Sequence, residues 1–268
     1  GAGIPEPPTT WEEFQDQVQI LTKLDDQNKI LQAGAAIGTA KNVERSFDLV
    51  SLLMMQNGTK MTNSSNSATF AEIPPELSGV RVPPAEGALS FYLDFANPTK
   101  EVYTWNGDMP NSLDAFTQGK VAYFFGYSYH IPMIRAAAPK LNFDIAAAPQ
   151  IDPLARMNYA NYFVETVSKK SPNVAWAWDF LQFSASAEQV PQYLKKAQKP
   201  TALKSLVNGQ LEDLDIGVFA SELLTAKSWY HGNDPASVEQ IFSDMAQSAL
   251  AGEVDIKEAI GLAQKKVN

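Results

Sequence analysis

The sequence contains no cysteine. This excludes a disulfide framework, a thiolate zinc site, an iron–sulfur cluster and a cysteine nucleophile. Histidine is scarce as well: His130 and His231 are the only two, too few for a three-histidine metal site or an HExxH zinc helix. The nucleophile motif GxSxG and the phosphate-binding motif GxxxxGK[ST] are also missing. The sequence therefore predicts no catalytic residue, no metal and no cofactor.

Positive charge is in deficit, with 21 Lys and Arg against 30 Asp and Glu and a formal net charge of −9. Such a charge repels phosphate backbones and anionic lipids, so no nucleic-acid partner is expected. No apolar run approaches the ~20 residues of a membrane-spanning helix. Residues 1–8 lack the basic and apolar regions of a signal peptide. Either a signal has been removed, or the chain begins partway into a longer one.

The 268 residues, 45% of them hydrophobic, can bury one large core or two modest ones. Capping residues and apolar spacing predict helices, and short apolar runs predict buried strands. The alternation of the two predicts an α/β fold. Trp11, Trp176, Trp178 and Phe180 fall on helix stripes and are expected in the core. Helices are predicted at 11–23, 43–56, 85–96, 112–116 (capped by Ser112), from 172, from 186, from 235 and at 258–267; strands are predicted at 30–37, 121–125, 143–148 and near 162–167.

Aromatic residues at the ends of predicted elements are the feature that points to a ligand. They lie beside Pro, Gly, Asn or Asp rather than inside apolar stripes. An aromatic ring covers the C–H face of a sugar, while amides and carboxylates bind its hydroxyl groups. The sequence therefore favours a carbohydrate ligand. These aromatics are Tyr103, Trp105, Tyr127, Tyr129, Tyr159, Tyr162, Trp229 and Tyr230.

Four segments in the same order resemble extracellular solute-binding proteins of ABC importers, family 1, which includes maltose-binding protein. The first is PPTTWEEF at 7–14, similar to a helix entry of that family, and the second is AFTQGKVA at 115–122, followed by GYSY at 126–129. The others are SKKS at 168–171 before WDFL at 178–181, and KPTALKS at 199–205. The resemblance implies a type II periplasmic-binding-protein-like α/β fold, comprising the C-terminal lobe and part of the N-terminal lobe.

The resemblance also implies how the chain is divided. Residues 1–158 are expected to form the first part of the C-terminal lobe, 159–212 to belong to the N-terminal lobe, and 213–268 to return to the C-terminal lobe. A fragment lacking most of the N-terminal lobe is implied, without the family's signal peptide and lipid-anchoring cysteine. Helices over 171–197 would then expose an apolar face. We expect weak ligand binding, together with self-association or a partner segment on that face.

By resemblance, loops and strand ends from both lobes face a cleft that closes around a solute. The implied partners are a small solute, expected to be a mono- or oligosaccharide, and the membrane permease of an ABC transporter. The implied location is extracytoplasmic, either periplasmic or as a cell-surface lipoprotein. Tyr129 stands where relatives often have Trp. The implied ligand-binding residues are Thr39, Asn42, Glu44, Trp105, Asn106, Tyr127, Tyr129, Tyr159, Asn161, Trp229 and Tyr230.

Two other functional classes remain open from the residues. A carbohydrate-active enzyme would use Trp105 and Tyr129 as subsites and a carboxylate pair such as Asp108 and Asp114. A non-catalytic adhesion domain would bind no small solute. Within the solute-binding class itself, polyamines, iron and peptides are alternative ligands, because relatives take these too.

Overall fold

A computed structural model describes residues 2–268. Five strands and ten α-helices are formed by these residues, and none of the helices is long and apolar enough to cross a bilayer. The strands are β1 (Lys23–Leu24), β2 (Ile30–Ala35), β3 (Val121–Tyr123), β4 (Asn158–Tyr159) and β5 (Ala226–Lys227), and the helices are α1 (Trp11–Leu21), α2 (Ser46–Gln56), α3 (Pro84–Asp94), α4 (Ser112–Thr117), α5 (His130–Ala137), α6 (Val174–Ser184), α7 (Val190–Ala197), α8 (Gly217–Glu222), α9 (Pro235–Leu250) and α10 (Ile256–Val267).

Helix α1 begins at the predicted capping box. The Thr10 hydroxyl accepts the Glu13 N–H at 3.2 Å, and the Glu13 carboxylate accepts the Thr10 N–H at 3.3 Å. The helix packs on β2, where its backbone approaches so closely that a Cβ on Gly34 would lie 2.5 Å from the Val18 carbonyl oxygen. Glycine at 34 is thus what allows α1 to lie directly on the sheet.

Two small sheets organise the chain. In the first, β2 is central, parallel to β3 and antiparallel to β1. In the second, β4 and β5 pair in parallel, with Tyr159 opposite Lys227. Because both strands run in the same direction, residues 160–161 and 228–231 leave this sheet at the same end. The second sheet thereby brings together two parts of the chain that are about 70 residues apart.

The main hydrophobic core lies between α2, α3, α9 and α10, with Trp11 and Phe14 of α1 at one side. Phe242 of α9 is 2% exposed and contacts Phe47 of α2, with ring centroids 4.9 Å apart. A smaller cluster surrounds Trp105 beside β2 and β3. Both clusters are formed mainly by helices and strands that the sequence predicted, as expected for an α/β fold.

Helices α6 and α7 contain no buried residue. The prediction that Trp176, Trp178 and Phe180 are core residues is therefore wrong, since 75%, 46% and 66% of these side chains are exposed. The predicted exposed apolar face over 171–197 is confirmed. Apolar residues at helical spacing are buried only where another element covers them. Self-association through this face stays a prediction.

Two predicted strands are wrong. Residues 143–148 form no strand and have no ladder partner among the described residues, although Gln150 just beyond them bridges to Thr10. The strand expected near 162–167 is replaced by β4, and Phe163 is 97% exposed. The N-cap of α4 is Asn111, whose side chain accepts the Leu113 N–H at 2.9 Å, and not Ser112. A short apolar run becomes a strand only if a neighbouring backbone pairs with it.

Candidate functional site

The candidate site is built around Asp48, in the first turn of α2. This carboxylate is 4% exposed and makes a two-point ion pair with Arg45, at 2.8 Å from Nε and 2.9 Å from the terminal nitrogen. The same nitrogen of Arg45 lies 3.2 Å from Glu239 of α9. Arg45 precedes α2 in a left-handed conformation with φ of 56°. The helix dipole favours an acid at the position of Asp48.

Two stacked tyrosines form one side of the site. The Tyr127 hydroxyl donates to Asp48 at 2.7 Å, and its ring stacks on Tyr129 with centroids 5.8 Å apart. Burial raises the pKa of Tyr127, and the adjacent Asp48 charge raises it further, so this phenol stays a donor. Tyr129 is 43% exposed. The pair therefore presents an aromatic face to solvent above a buried carboxylate.

His130 supports the tyrosine loop from below. Its Nδ1 accepts the Tyr127 N–H at 2.9 Å, which places the imidazole proton on Nε2. Nε2 is buried and has no hydrogen-bond partner among the described residues. Burial lowers the pKa of His130, with the Glu44 charge opposing the shift. The site thus contains a neutral imidazole with an unpaired N–H, in ring contact with Tyr129 at a centroid distance of 4.1 Å.

The other side of the site comes from the ends of β4 and β5. The Tyr159 hydroxyl lies 3.0 Å from Nε2 of His231, and Asn161 donates to Asp48 at 3.2 Å. Burial raises the pKa of Tyr159 and lowers that of His231. Trp229 packs beneath His231, with centroids 4.5 Å apart, and donates to Ser51 at 3.2 Å. Trp229 thus supports the surface, and its own ring is largely buried.

Four predicted ligand contacts lie in a separate cluster that braces a loop. Trp105 is 0% exposed and donates to Asn42 at 3.2 Å. Asn42 also accepts from Thr39 and donates to the carbonyls of Asn106 and Met109 at 2.9 and 2.8 Å. These polar groups are bonded to one another, and the sealed Trp105 ring is not open to a ligand, which corrects its predicted stacking role. The enzyme alternative loses its Trp105 subsite for the same reason. Ligand contacts from Thr39, Asn42 and Asn106 stay a prediction.

Of the remaining predicted ligand-binding residues, most lie near Asp48 and Tyr129, whereas Tyr230 does not. Glu44 accepts a hydrogen bond from Asn111 at 3.2 Å, and its charge acts on both Tyr129 and His130. Tyr230 is exposed and donates to Asn233 at 3.2 Å, away from the Asp48 network. The structure therefore brings together Glu44, Tyr127, Tyr129, Tyr159, Asn161 and Trp229 of the predicted set.

Four site residues were not found from the sequence: Arg45, Asp48, His231 and Glu239. The spacing of Arg45 and Asp48 at the start of a helix is a local signal for an ion pair. Glu239 is 194 residues from Arg45, and no local pattern connects them. No group of three or more Asp, Glu or His side chains in residues 2–268 is arranged to hold a metal ion. The site offers aromatic faces and hydrogen-bonding groups.

The profile of the bacterial extracellular solute-binding protein family matches residues 2–214. Several solved structures share the fold. A cyclo/maltodextrin-binding protein complexed with maltotetraose has a TM-score of 0.73 at 17% identity, over 98% of this chain and 65% of that one. The maltose-maltodextrin binding protein of Alicyclobacillus acidocaldarius has a TM-score of 0.69 at 19% identity, over 98% and 66%.

An ABC transporter solute-binding protein from Thermotoga lettingae bound with alpha-D-tagatose has a TM-score of 0.65 at 19% identity, over 100% of this chain and 66% of that one. The chain thus spans about two thirds of the length of these structures. No curated protein sequence matches it significantly. The fold is that of type II periplasmic sugar-binding proteins. With the family profile matching most of its residues, the chain belongs to the bacterial extracellular solute-binding proteins.

Proposed function

We propose that this protein is the carbohydrate-binding component of an ABC import system, which takes up a mono- or oligosaccharide outside the cytoplasmic membrane and delivers it to a membrane permease. Membership of the extracellular solute-binding family is the observation that carries this proposal. Proteins of similar fold are described with maltotetraose, mannotriose and tagatose bound. Members of this family are binding proteins, so the proposed role involves no bond-making by the chain.

The ligand is proposed to lie on the exposed ring of Tyr129. Stacking of a sugar face on an aromatic ring suits this position, because Tyr127 holds the ring from behind at 5.8 Å. Asn161 and the carboxylates of Glu44 and Glu239 lie around it and are suited to bind hydroxyl groups. Tyr159 and His231 complete the polar rim.

The proposed division of the chain is that residues 159–212 belong to the N-terminal lobe. This segment leaves the second sheet at Tyr159 and contains α6 and α7, neither of which buries a residue. Lobe closure about such strand crossings is a standard way for a binding protein to enclose its ligand. Anchoring through a lipidated cysteine stays a prediction.

A thermal-shift screen tests the proposed function. Ligand at 100 times its Kd stabilises the folded state by ~2.7 kcal/mol, so a saccharide that binds at millimolar concentration raises the melting temperature measurably. Tyr129→Ala is expected to abolish the shift. Tyr193→Ala on α7 is the matched control, because Tyr193 is exposed and has no hydrogen bond or ring contact with the Asp48 network.

The control variant should keep the full shift. If no mono- or oligosaccharide shifts the wild-type melting temperature, the carbohydrate proposal is wrong. If Tyr129→Ala retains the shift, the ligand lies elsewhere on the protein.

A further inference from the structure

We infer that the site selects saccharides without acid groups, binding neutral and amino sugars and rejecting uronates. The inference rests on the proposed function and adds the chemical class of the ligand. It follows from the balance of charges and of open hydrogen-bonding positions around Tyr129.

The charges near the exposed ring are unbalanced. Those that act on Tyr129 are the carboxylates of Glu44, Asp48 and Glu239 and the guanidinium of Arg45. Of these charges, Glu44 and Arg45 act on His130, and Asp48, Glu239 and Arg45 act on His231. Both imidazoles have a pKa lowered by burial and add no positive charge at neutral pH. A sugar bound here meets an excess of negative charge.

The single cation is already paired with two acids. Arg45 binds both oxygens of Asp48, at 2.8 and 2.9 Å, and a terminal nitrogen reaches Glu239 at 3.2 Å. A bidentate pair of this kind is among the strongest charge-assisted hydrogen bonds. A ligand carboxylate at the remaining terminal nitrogen of Arg45 would meet a guanidinium whose single charge is already shared by two acids. Arg45 therefore holds the acids in place and does not recruit an anion.

Two carboxylate oxygens at the site are open acceptors. Glu239 uses Oε1 for Arg45 and Glu44 uses Oε2 for Asn111, whereas Oε2 of Glu239 and Oε1 of Glu44 accept no hydrogen bond from residues 2–268. Of the nearby donors, the Tyr127 hydroxyl and one N–H of the Asn161 amide are already used, because both donate to Asp48. Open carboxylate oxygens accept from hydroxyl or ammonium groups and repel an acid.

A second, independent feature points to a ligand at the same place. His130 is 2% exposed and its Nε2–H is unpaired, although its ring contacts Tyr129 at 4.1 Å. A buried polar group without a partner is rare in a folded protein. A neutral sugar at the Tyr129 face provides several donors for the two open carboxylate oxygens.

Titration calorimetry with matched sugars tests the inference on the full chain. The probes are glucose, glucosamine and glucuronate, the corresponding galactose and mannose sets, and mannotriose with its trimannuronate counterpart. In the set that binds, the uronate is expected to bind at least about tenfold more weakly than the neutral or amino sugar at low salt. The difference should shrink as salt rises.

Glu239→Gln identifies the cause of the discrimination. The glutamine carbonyl can still accept from Arg45, so the variant removes one charge with little change of shape. The Kd for the uronate divided by the Kd for the neutral sugar is expected to fall at least about threefold in this variant. Glu253→Gln, in the exposed turn between α9 and α10, is the matched control and should leave the ratio unchanged. Glu44→Gln repeats the test if Glu239→Gln fails to fold.

Equal affinity for the uronate and the neutral sugar overturns the inference while leaving the proposed function intact. A ratio unaffected by both Glu239→Gln and Glu44→Gln overturns it as well. If none of the sugars binds, the proposed function itself fails, and the inference fails with it. These results are distinguishable because only the last one lacks binding of the neutral sugar.

Discussion

Helices α9 and α6 both carry large apolar side chains and have opposite environments. Val238, Phe242 and Met245 of α9 are buried between α2, α3 and α10. Trp176, Phe180 and Phe183 of α6 are all more than half exposed. The difference shows that apolar residues on a helix form a core only where another element packs against them.

The contrast locates the stable part of the chain and the binding surface within it. The Asp48 network stands on α2, whose core-facing side packs against α9 through Phe47 and Phe242. The proposed ligand surface is therefore held by the well-packed part of the chain. Helices α6 and α7 do not support it, because neither packs extensively against another element of the described residues.

The largest expected effect is on core stability. Phe242→Ala removes a buried ring that contacts Phe47 and Phe70 at centroid distances of 4.9 and 5.3 Å. Its cavity should lower the free energy of unfolding by about 3–5 kcal/mol, measured by urea titration. Phe180→Ala on α6 removes the same atoms from an exposed site and should cost less than about 1 kcal/mol.

This pair of variants tests whether α6 is uncovered in solution. If Phe180→Ala destabilises the protein as much as Phe242→Ala does, the α6 face is covered in solution. Sedimentation at several protein concentrations would then show whether a second copy covers it.

Local signals in the sequence predicted much of the fold. The Thr10–Glu13 capping box and the apolar spacing after it located α1, and the run from residue 30 located β2. Residues 143–148 have the same apolar character as a buried strand but pair with nothing in the described chain. Pairing depends on distant backbone, so a local run cannot show whether a partner exists.

The candidate site was predictable only in part. Tyr129 and Trp105 both stand beside polar residues in the sequence, yet one is exposed and the other is fully buried. Their difference arises from packing around β2 and β3, which no local pattern encodes. Asp48 and Glu239 are joined through Arg45 across most of the chain length. A ring at an element's end therefore marks a candidate position, and tertiary contacts decide its role.

A smaller effect is expected from the buried ion pair. Asp48→Asn removes the charge that holds Arg45 and accepts from Tyr127, and should lower the free energy of unfolding by about 2 kcal/mol. Asp215→Asn breaks an exposed pair with Arg135 and should cost less than about 1 kcal/mol. Equal losses in urea titrations would show that the Asp48 network is as solvated as the surface pair.

The smallest expected effect is on pH dependence. Burial lowers the pKa of His231 in the folded protein, so the unfolded chain binds more protons as pH falls below the ordinary histidine value of about 6.5. The stability should decrease from about pH 7.5 to about pH 5.5. His130 has a pKa shifted in the same direction and contributes to the same decrease. The exposed carboxylates with lowered pKa, Glu13 and Glu76, lose their stabilising contribution only at lower pH.

His231→Gln isolates one of the two imidazoles, because glutamine can still pair with the Tyr159 hydroxyl but does not titrate. The variant should lose less stability than the wild type between about pH 7.5 and pH 5.5, and the two should run parallel above about pH 8. Chemical unfolding at each pH measures this directly. An unchanged slope in the variant would mean that His231 is already solvated in the folded protein. The residues around Tyr159 would then be less tightly packed than the core below them. In that case the close packing of α2 and α9, which α6 lacks, would not include the proposed ligand surface.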